Sequence, residues 1–139
     1  MNSFRLHILA ADRAFYEGAC LSLIVPTVHG QYGVQAHHRN MIAALVPGML
    51  TFRIAEGEKR VAAVSAGMIK VENNDVLVLV DAAERPEDID AIRARHKADQ
   101  AREMMLQQRS HREYLTAQAT LARALNRLRV KEHEGLLSK

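Results

Sequence analysis

Residues 76–94 read VLVLVDAAERPEDIDAIRA, and two kinds of sequence meet within them. The first five are apolar and rich in β-branched valine, which favours a buried strand. Pro86 suits the first turn of a helix, where its missing N–H would be unpaired in any case. Glu87, Asp88 and Asp90 then place negative charge where a helix dipole favours it. The stretch therefore predicts a change from β structure to α-helix at about residue 85.

The composition of the chain also changes at this point. Residues 1–85 contain eight Lys+Arg, eight Asp+Glu and six of the seven Gly. Residues 86–139 contain eleven Lys+Arg and eight Asp+Glu, so the formal net charge of +3 comes from them. The 48 residues between Pro86 and Gly135 contain no Gly and no Pro. We therefore predict two small domains, residues 1–85 and residues 86–139.

The first domain is predicted to consist of short strands. Apolar residues alternate along Phe4–Ala10, and the apolar run Leu21–Val25 is expected to stop at Pro26. Residues 56–58 and 73–75 suit tight hairpins, because Gly, Asn and Asp tolerate a positive φ. Eight to ten such strands, with no helix among them, predict an antiparallel β-sandwich or a barrel.

The second domain is predicted to be an antiparallel α-helical hairpin. Small apolar residues recur at spacings of three and four in two segments, on either side of a polar break at residues 107–110. The two stripes are Ala91, Ala94, Ala98, Ala101 and Met105, and Tyr114, Ala117, Leu121, Ala124 and Leu128. Alanines bury about a quarter of the apolar area that leucines would, and burial of apolar area stabilises by ~25 cal/mol per Å². The hairpin should therefore be marginally stable by itself and able to open.

The sequence argues against several classes of protein. The single cysteine, Cys20, excludes an intramolecular disulfide and a cysteine-based zinc site, and its apolar strand favours a structural thiol over a nucleophile. A metal site at His29, His37 and His38 is conceivable, but no acid lies nearby, so exposed loop histidines are the default. The glycines form no phosphate-binding loop. No apolar run is long enough for a signal peptide or a membrane span, so the chain is predicted to be soluble and cytoplasmic.

One charged cluster suggests a ligand. Asp90 and Arg93 lie one helical turn apart, and Arg123 and Arg127 share a face of the second helix. Closing the hairpin would bring three guanidinium groups together, which suits a nucleotide phosphate. The alternative is that these arginines pair with Asp90, Asp99 or Glu132 on a solvated surface, where each pair contributes little. Spacing alone favours surface pairs.

Several segments resemble the epsilon subunits of F-type ATP synthases, and the resemblance covers nearly the whole chain. The matching segments are GQYGV at 30–34, LVPGML at 45–50, VSAGMIKV at 64–71, VLVLVDAAE at 76–84 and ARALNRLRV at 122–130. The resemblance implies a non-catalytic subunit of the central stalk, peripheral on the cytoplasmic face of the bacterial plasma membrane. It implies contacts with the gamma subunit and the c-ring, and coupling of ion translocation to ATP synthesis. It also implies a hairpin that can extend to the alpha and beta subunits of the catalytic head and block hydrolysis.

The resemblance also assigns an ATP site that would regulate the subunit, with no cofactor required. An Ile/Leu-Asp-x-x-Arg-Ala motif binds ATP in several bacterial members and favours the closed hairpin. The corresponding residues are Ile89, Asp90, Arg93 and Ala94, with Arg123 and Arg127 as the later arginines and Glu84 at the edge of the site. The motif shifts the balance from surface pairs to an ATP site, because converging arginines suit phosphate.

The implied rotor contacts fall in the first domain. They are Gln31, His38, Arg39 and Met41. Where the family usually has Pro-Gly-His-Ala-Pro, this chain has residues 36–40, Ala-His-His-Arg-Asn, and Gln31 replaces the usual acid. His38 aligns with the family histidine. The conformation of this loop is the least predictable part of the domain.

Two other functions remain as alternatives. A free-standing nucleotide-sensing or adaptor module could share the fold without a rotary partner. A nucleic-acid-binding protein would use the basic second half, but its basic residues are interleaved with acids and its single aromatic, Tyr114, lies on the packing stripe. We therefore expect no nucleic acid among the partners.

Overall fold

The computed structural model describes residues 2–107 and 111–137. The chain divides into two compact units between Glu84 and Arg85. The strands are β1 (Phe4–Ala10), β2 (Ala14–Thr27), β3 (Gly30–Gln35), β4 (Met41–Leu45), β5 (Gly48–Ile54), β6 (Lys59–Val64), β7 (Gly67–Glu72), β8 (Asp75–Val80) and β9 (Ala83–Glu84). The helices are a 3₁₀ turn (Pro86–Asp88), α1 (Ala91–Gln107) and α2 (His111–Leu137).

The first unit confirms the predicted β-sandwich. The described residues form nine strands, and all of the pairings are antiparallel except that of β1 with β8. Pairings run from β1 through β8, β7 and β4 to β2, and β2 returns to β1. On the other side β2 continues to β5, β6 and β9, while β3 pairs with β2 alone. The long strand β2 therefore connects all parts of the sandwich.

The core of this unit follows the alternation in the sequence. Phe4, Leu6 and Ile8 point inward and are at most 2% exposed, as expected for a half-buried strand. The hairpin at residues 73–75 is confirmed, with positive φ at Asn73 (51°) and Asn74 (63°). The turn at residues 56–58 is confirmed as well.

The prediction that Pro26 ends its strand was wrong. Strand β2 continues through Pro26 to Thr27, opposite Gln31 and Gly30 of β3. The β2–β5 ladder already ends at Ile24, so the missing N–H of the proline interrupts none of its bonds. The carbonyl of Pro26 still accepts a hydrogen bond from the N–H of Val46 at 3.1 Å.

The second unit confirms the predicted helical hairpin. Its seam is made of alanines that are at most 3% exposed: Ala94, Ala98, Ala101, Ala117 and Ala124. Helix α1 continues to Gln107, and the rest of the predicted polar break, residues 108–110, lies outside the described residues. Among the described residues, neither helix has the length and apolar character needed to cross a membrane.

The predicted start of the first helix was wrong by five residues. Pro86 opens the short 3₁₀ turn instead, and Asp88 pairs with Arg85 at 3.2 Å. Helix α1 begins at Ala91 because Asp90 caps it: the carboxylate of Asp90 accepts the backbone N–H of Arg93 at 3.1 Å. The acids of the turn therefore precede α1, whose first turn contains none.

Candidate nucleotide site and docking surfaces

Three residues of the Ile-Asp-x-x-Arg-Ala motif help to start α1. Asp90 is the N-cap, and Ile89 and Ala94 occupy the positions of a hydrophobic staple on either side of it. Ile89 is 4% exposed and Ala94 is fully buried. Starting the helix is therefore enough to explain these three residues of the motif, without any ligand. Arg93 is the exception, because its side chain is exposed and caps nothing.

A long-range hydrogen bond aligns the end of α2 with the start of this unit. Lys131 Nζ donates to the carbonyl of Pro86 at 3.1 Å and also pairs with Glu134 at 3.2 Å. Arg127 and Arg123 lie one and two turns earlier on α2, about 6 and 12 Å along its axis. Because the helices are antiparallel, these arginines run beside the first turns of α1, where Arg93 lies. Sequence reasoning missed Lys131, although its spacing of four from Arg127 was a signal.

Two of the three acids named in the surface-pair alternative have other partners in the structure. The carboxylate of Asp90 accepts the cap hydrogen bond, and Asp99 pairs with Arg102 at 3.5 Å. Arg123 Nη2 donates to Thr120 Oγ1 at 3.2 Å, a neutral partner. Guanidinium groups offer paired donors that suit an anion such as phosphate. Glu84 belongs to the sheet unit, where β9 pairs it with Ala63.

His38 is held from both sides of its ring. Nδ1 donates to the carbonyl of Arg39 at 2.8 Å, so in the neutral ring Nε2 accepts from the Tyr32 hydroxyl at 2.8 Å. The two rings also meet edge to face, with centroids 5.6 Å apart. The histidine therefore fixes the local shape of the loop that follows β3.

The other residues implied in rotor contact lie in β3, in the loop that follows it and at the start of β4. Gln31 directly precedes Tyr32 and is exposed, as is Arg39. Met41 opens β4, is only half-exposed and packs against the core of the sandwich. The polar members of the set are therefore open to a partner, and Met41 has a structural role besides.

The loop of residues 36–40 is tied to the β7–β8 turn. The backbone N–H of His37 donates to Asn74 Oδ1 at 2.7 Å, and the backbone N–H of Asn73 donates to Asn40 Oδ1 at 2.9 Å. Asn74 Nδ2 also donates to the carbonyl of Ser3 at 3.0 Å. Sequence reasoning missed both asparagine side chains.

The outer face of strands β4, β7, β8 and β1 carries an apolar row. Their registers place Ala44 opposite Met68, Met68 opposite Leu79, and Leu79 opposite Leu9. In the next row, Ile42 is 69% exposed. A run of apolar residues across four strands is typical of a docking face. Sequence reasoning did not identify this face.

The described residues do not support a histidine metal site or a reactive cysteine. The described residues hold no group of three His, Cys, Asp or Glu side chains arranged for a metal ion. Cys20 is fully buried and donates to the carbonyl of Ser22 at 3.0 Å. Burial raises the pKa of the Cys20 thiol, which keeps it protonated and unsuited to nucleophilic attack.

Comparison with protein families gives matches to both units. The β-sandwich domain of the ATP synthase delta/epsilon chain matches residues 3–86, and the long α-helix domain of the same chain matches residues 87–132. The ATP synthase epsilon chain of Shouchella clausii is 36% identical over 97% of this chain and 99% of its own. That of Caldicellulosiruptor bescii is 33% identical over 95% of this chain and 96% of its own.

Solved structures share the fold. A chain in the Euglena gracilis mitochondrial ATP synthase (OSCP/F1/c-ring) superposes with a TM-score of 0.81 over 96% of this chain and 82% of its own, at 20% identity. A chain of the Tetrahymena thermophila mitochondrial ATP synthase central stalk and c-ring gives a TM-score of 0.55 over 63% of this chain and 69% of its own, at 14% identity. At these identities the likeness supports the fold alone.

Proposed function

The chain belongs to the ATP synthase delta/epsilon chain family, among its epsilon chains, and from this premise we propose that it is a non-catalytic regulator in the central stalk of a rotary F-type ATP synthase. In this role it joins the gamma subunit to the c-ring at the cytoplasmic face of the membrane, and so couples ion translocation to ATP synthesis. Its helical hairpin regulates ATP hydrolysis in response to ATP.

Docking on the gamma subunit is assigned to the apolar outer face of the sandwich. Ile42 and Leu79 are large hydrophobic side chains that are 69% and 37% exposed there. Covering such residues on association removes apolar area from water, which is the main favourable term in forming an interface. The rigid sheet behind them needs little ordering before it binds.

Co-purification tests this docking. Tagged full-length chain should retain gamma and c subunits when the complex is isolated from the membrane, and Ile42→Asp should reduce the amount of gamma retained. Val28→Asp is the matched control, because Val28 is 71% exposed but lies in the β2–β3 turn, outside the outer face of strands β4, β7, β8 and β1. A chain that stays in solution with neither subunit would instead support the free-standing module.

The regulatory part of the proposal rests on the alanine seam between α1 and α2. A switch needs two states that differ by only a few kcal/mol, and a seam of alanines gives the closed hairpin little apolar area. Ile92 and Leu106 are each 84% exposed on α1. An open hairpin could bury these side chains against the alpha and beta subunits of the catalytic head, which would block hydrolysis.

ATP is proposed to hold the hairpin closed. Arg123 and Arg127 on α2 run beside the start of α1, which carries Arg93, so one triphosphate can meet cationic groups from both helices. A ligand that binds only the closed form stabilises that form. The observation that carries this assignment is the bond from Lys131 to Pro86, which holds the end of α2 beside the turn that precedes α1.

Calorimetry on the isolated full chain tests ATP binding. Saturable heat is expected from the unchanged chain, and Arg93→Ala and Arg123→Ala should each abolish it or weaken it at least tenfold, the effect of losing about 1.4 kcal/mol. Arg129→Ala is the control, because Arg129 is an exposed arginine of α2 that is not four residues from Arg123 or Arg127. The absence of heat at millimolar ATP, or equal loss in the control, would refute the site.

A further inference from the structure

We propose that Asn74 and Asn40 are positioning residues that hold the loop of residues 36–40 in the shape it presents to the c-ring. The loop's contact with the ring rests on the function proposed above. The hydrogen bonds that hold it belong to the sandwich unit alone. The two parts of the inference can therefore be tested separately.

His37 is the strained point of this loop. Its φ is 61°, in the left-handed region, which a residue with a side chain enters only at a cost in free energy. The bond from its N–H to Asn74 Oδ1 is short, at 2.7 Å. A hydrogen bond of this kind can offset most of that cost, so the loop shape depends on the Asn74 side chain.

Asn74 is in turn fixed by the rest of the sheet. Its Nδ2 donates to the carbonyl of Ser3, and its own carbonyl accepts from the N–H of Arg5 at 3.4 Å. The side-chain amide therefore uses its oxygen for the loop and its nitrogen for the segment before β1. This pairing sets the orientation of the amide, because the opposite orientation would lose both bonds.

Asn40 closes the other end of the loop. Its Oδ1 accepts the N–H of Asn73, the neighbour of Asn74 in the same turn. Between these two anchors, His38 is held by Tyr32 and the carbonyl of Arg39. Arg39 is thus displayed on a loop fixed on both sides. A loop ordered before binding loses less conformational entropy when a partner docks.

Two variants of the same turn distinguish the role of the Asn74 side chain from the role of the turn's backbone. Asn74→Gly removes the amide but keeps the left-handed conformation, which glycine adopts without strain. Asn73→Gly is the matched control, because Asn73 also has a positive φ (51°) and contributes its backbone N–H to the loop. Amide hydrogen exchange of His37 in the isolated full chain should speed up at least about tenfold in Asn74→Gly. It should not change in Asn73→Gly, and unchanged exchange in Asn74→Gly would overturn the proposal.

The assembled synthase gives the second readout. In membrane vesicles, Asn74→Gly should lower ion pumping per ATP hydrolysed, while Asn73→Gly should match the unchanged chain. His37→Gly added to Asn74→Gly should restore pumping, because glycine adopts the loop conformation without help. A general loss of stability would not be rescued in this way, and equal thermal midpoints of the two single variants would exclude it.

Each outcome bears on one part of the inference. Fast exchange at His37 with normal pumping would overturn the positioning role toward the ring, while the gamma docking proposed above would be unaffected. Failure of the proposed function would show earlier, because the chain would not co-purify with gamma and c subunits. Lost pumping that His37→Gly does not rescue would also overturn the inference.

Discussion

The sheet unit and the helical unit bury their interiors equally well but with side chains of different size. In the sheet unit Leu6, Leu23 and Ile69 are at most 1% exposed. In the seam between the helices the corresponding positions are alanines, such as Ala98 at 1%. Hydrophobic stabilisation scales with the apolar area removed from water and not with the exposed fraction that remains. The two units therefore differ in stability although their buried side chains are exposed to the same small fraction.

This difference assigns separate physical roles to the two units. A β-sandwich filled with aliphatic side chains holds one shape and suits docking on other subunits. A hairpin closed over alanines lies nearer to balance between two states and suits a switch. Among the described residues of the helical unit, large buried side chains occur only at isolated positions such as Ile89 and Val130. Each prediction below would break or sharpen this contrast.

The largest effect is expected from Gly67→Ala at the start of β7. A Cβ at this position would lie 1.9 Å from the carbonyl oxygen of Leu79 and 2.8 Å from Cα of Val80. Both atoms belong to the backbone of β8, which cannot move away without breaking the β7–β8 ladder. We expect the free energy of unfolding of the sheet unit to fall by about 4 kcal/mol or more, as measured by urea denaturation.

Gly33→Ala is the matched control for Gly67→Ala. Apart from its two chain neighbours, no described residue has an atom within 4 Å of the Cβ that would be added at Gly33, which belongs to the exposed strand β3. The control should unfold within about 0.5 kcal/mol of the unchanged chain. A mild effect of Gly67→Ala would mean that the sheet yields more easily than its close backbone packing indicates.

The next largest effect is expected from Ala98→Leu in the seam. A leucine there overfills the space between α1 and α2 and should destabilise the closed hairpin by about 1–3 kcal/mol. The thermal midpoint of the helical circular dichroism signal should fall. Labelling of buried Cys20, which reports opening of the sheet unit, should keep its rate.

Ala119→Leu provides the control for this seam, because Ala119 is an exposed alanine of α2. It should leave both signals unchanged. If Ala98→Leu speeds Cys20 labelling, the two units unfold together, and the contrast between a fixed sheet and a movable hairpin would not hold.

Much of the fold could be predicted because local patterns decide it. The hairpin at Asn73 and Asn74 and the alanine seams follow from turn chemistry and from spacing along the chain. The start of α1 was misplaced because Pro86 and Asp90 are both valid helix-start signals, and the cap at Asp90 prevails. Pro26 was misread because the cost of its missing N–H depends on how far the neighbouring ladder extends.

The sites were harder to predict because their contacts join distant residues. The motif at residues 89–94 and the spacing of Arg123 and Arg127 were visible in the sequence. The bond from the N–H of His37 to Asn74 Oδ1 spans 37 positions, and the bond from Lys131 to Pro86 spans 45. No local pattern in the sequence indicates such pairs, so the hydrogen bonds that hold the loop of residues 36–40 could be found only in the structure.

A smaller effect is expected at the cap of α1. Asp90→Ala should lower the stability of the hairpin by about 1 kcal/mol, whereas Asp90→Asn should keep it, because asparagine caps as well as aspartate. Thermal melts followed by the helical signal measure both. The pair also separates capping from charge: if Asp90→Asn melts normally but changes ATP affinity in calorimetry, the carboxylate acts in the nucleotide site. A loss of stability as large in Asp90→Asn would contradict the cap.

The smallest effect is expected from the surface pair of Lys70 and Glu72 on the outer face of β7, where Nζ and Oε2 are 2.8 Å apart. The hydrogen bond from Lys70, and then its charge, lowers the pKa of Glu72 below its usual value, while Glu72 raises the pKa of Lys70 above its usual value. Any stabilisation by Glu72 is present above its unfolded pKa and is lost as the pH falls through the lower folded value. The contribution of Lys70 is lost only as the pH rises through its raised value.

The pair should therefore add no pH dependence at neutral pH, and water screens it because both side chains are largely exposed. Thermal melts of Glu72→Gln and the unchanged chain should coincide at pH 7, and any remaining difference should shrink as the pH falls through the lowered pKa of Glu72. Lys59→Gln is a suitable control for loss of a surface charge, since Lys59 is an exposed residue of β6. A drop at pH 7 larger than that of Asp90→Ala would mean that surface charge contributes to the sheet as much as a helix cap does to the hairpin. The sheet would then owe its fixed shape to more than its apolar core.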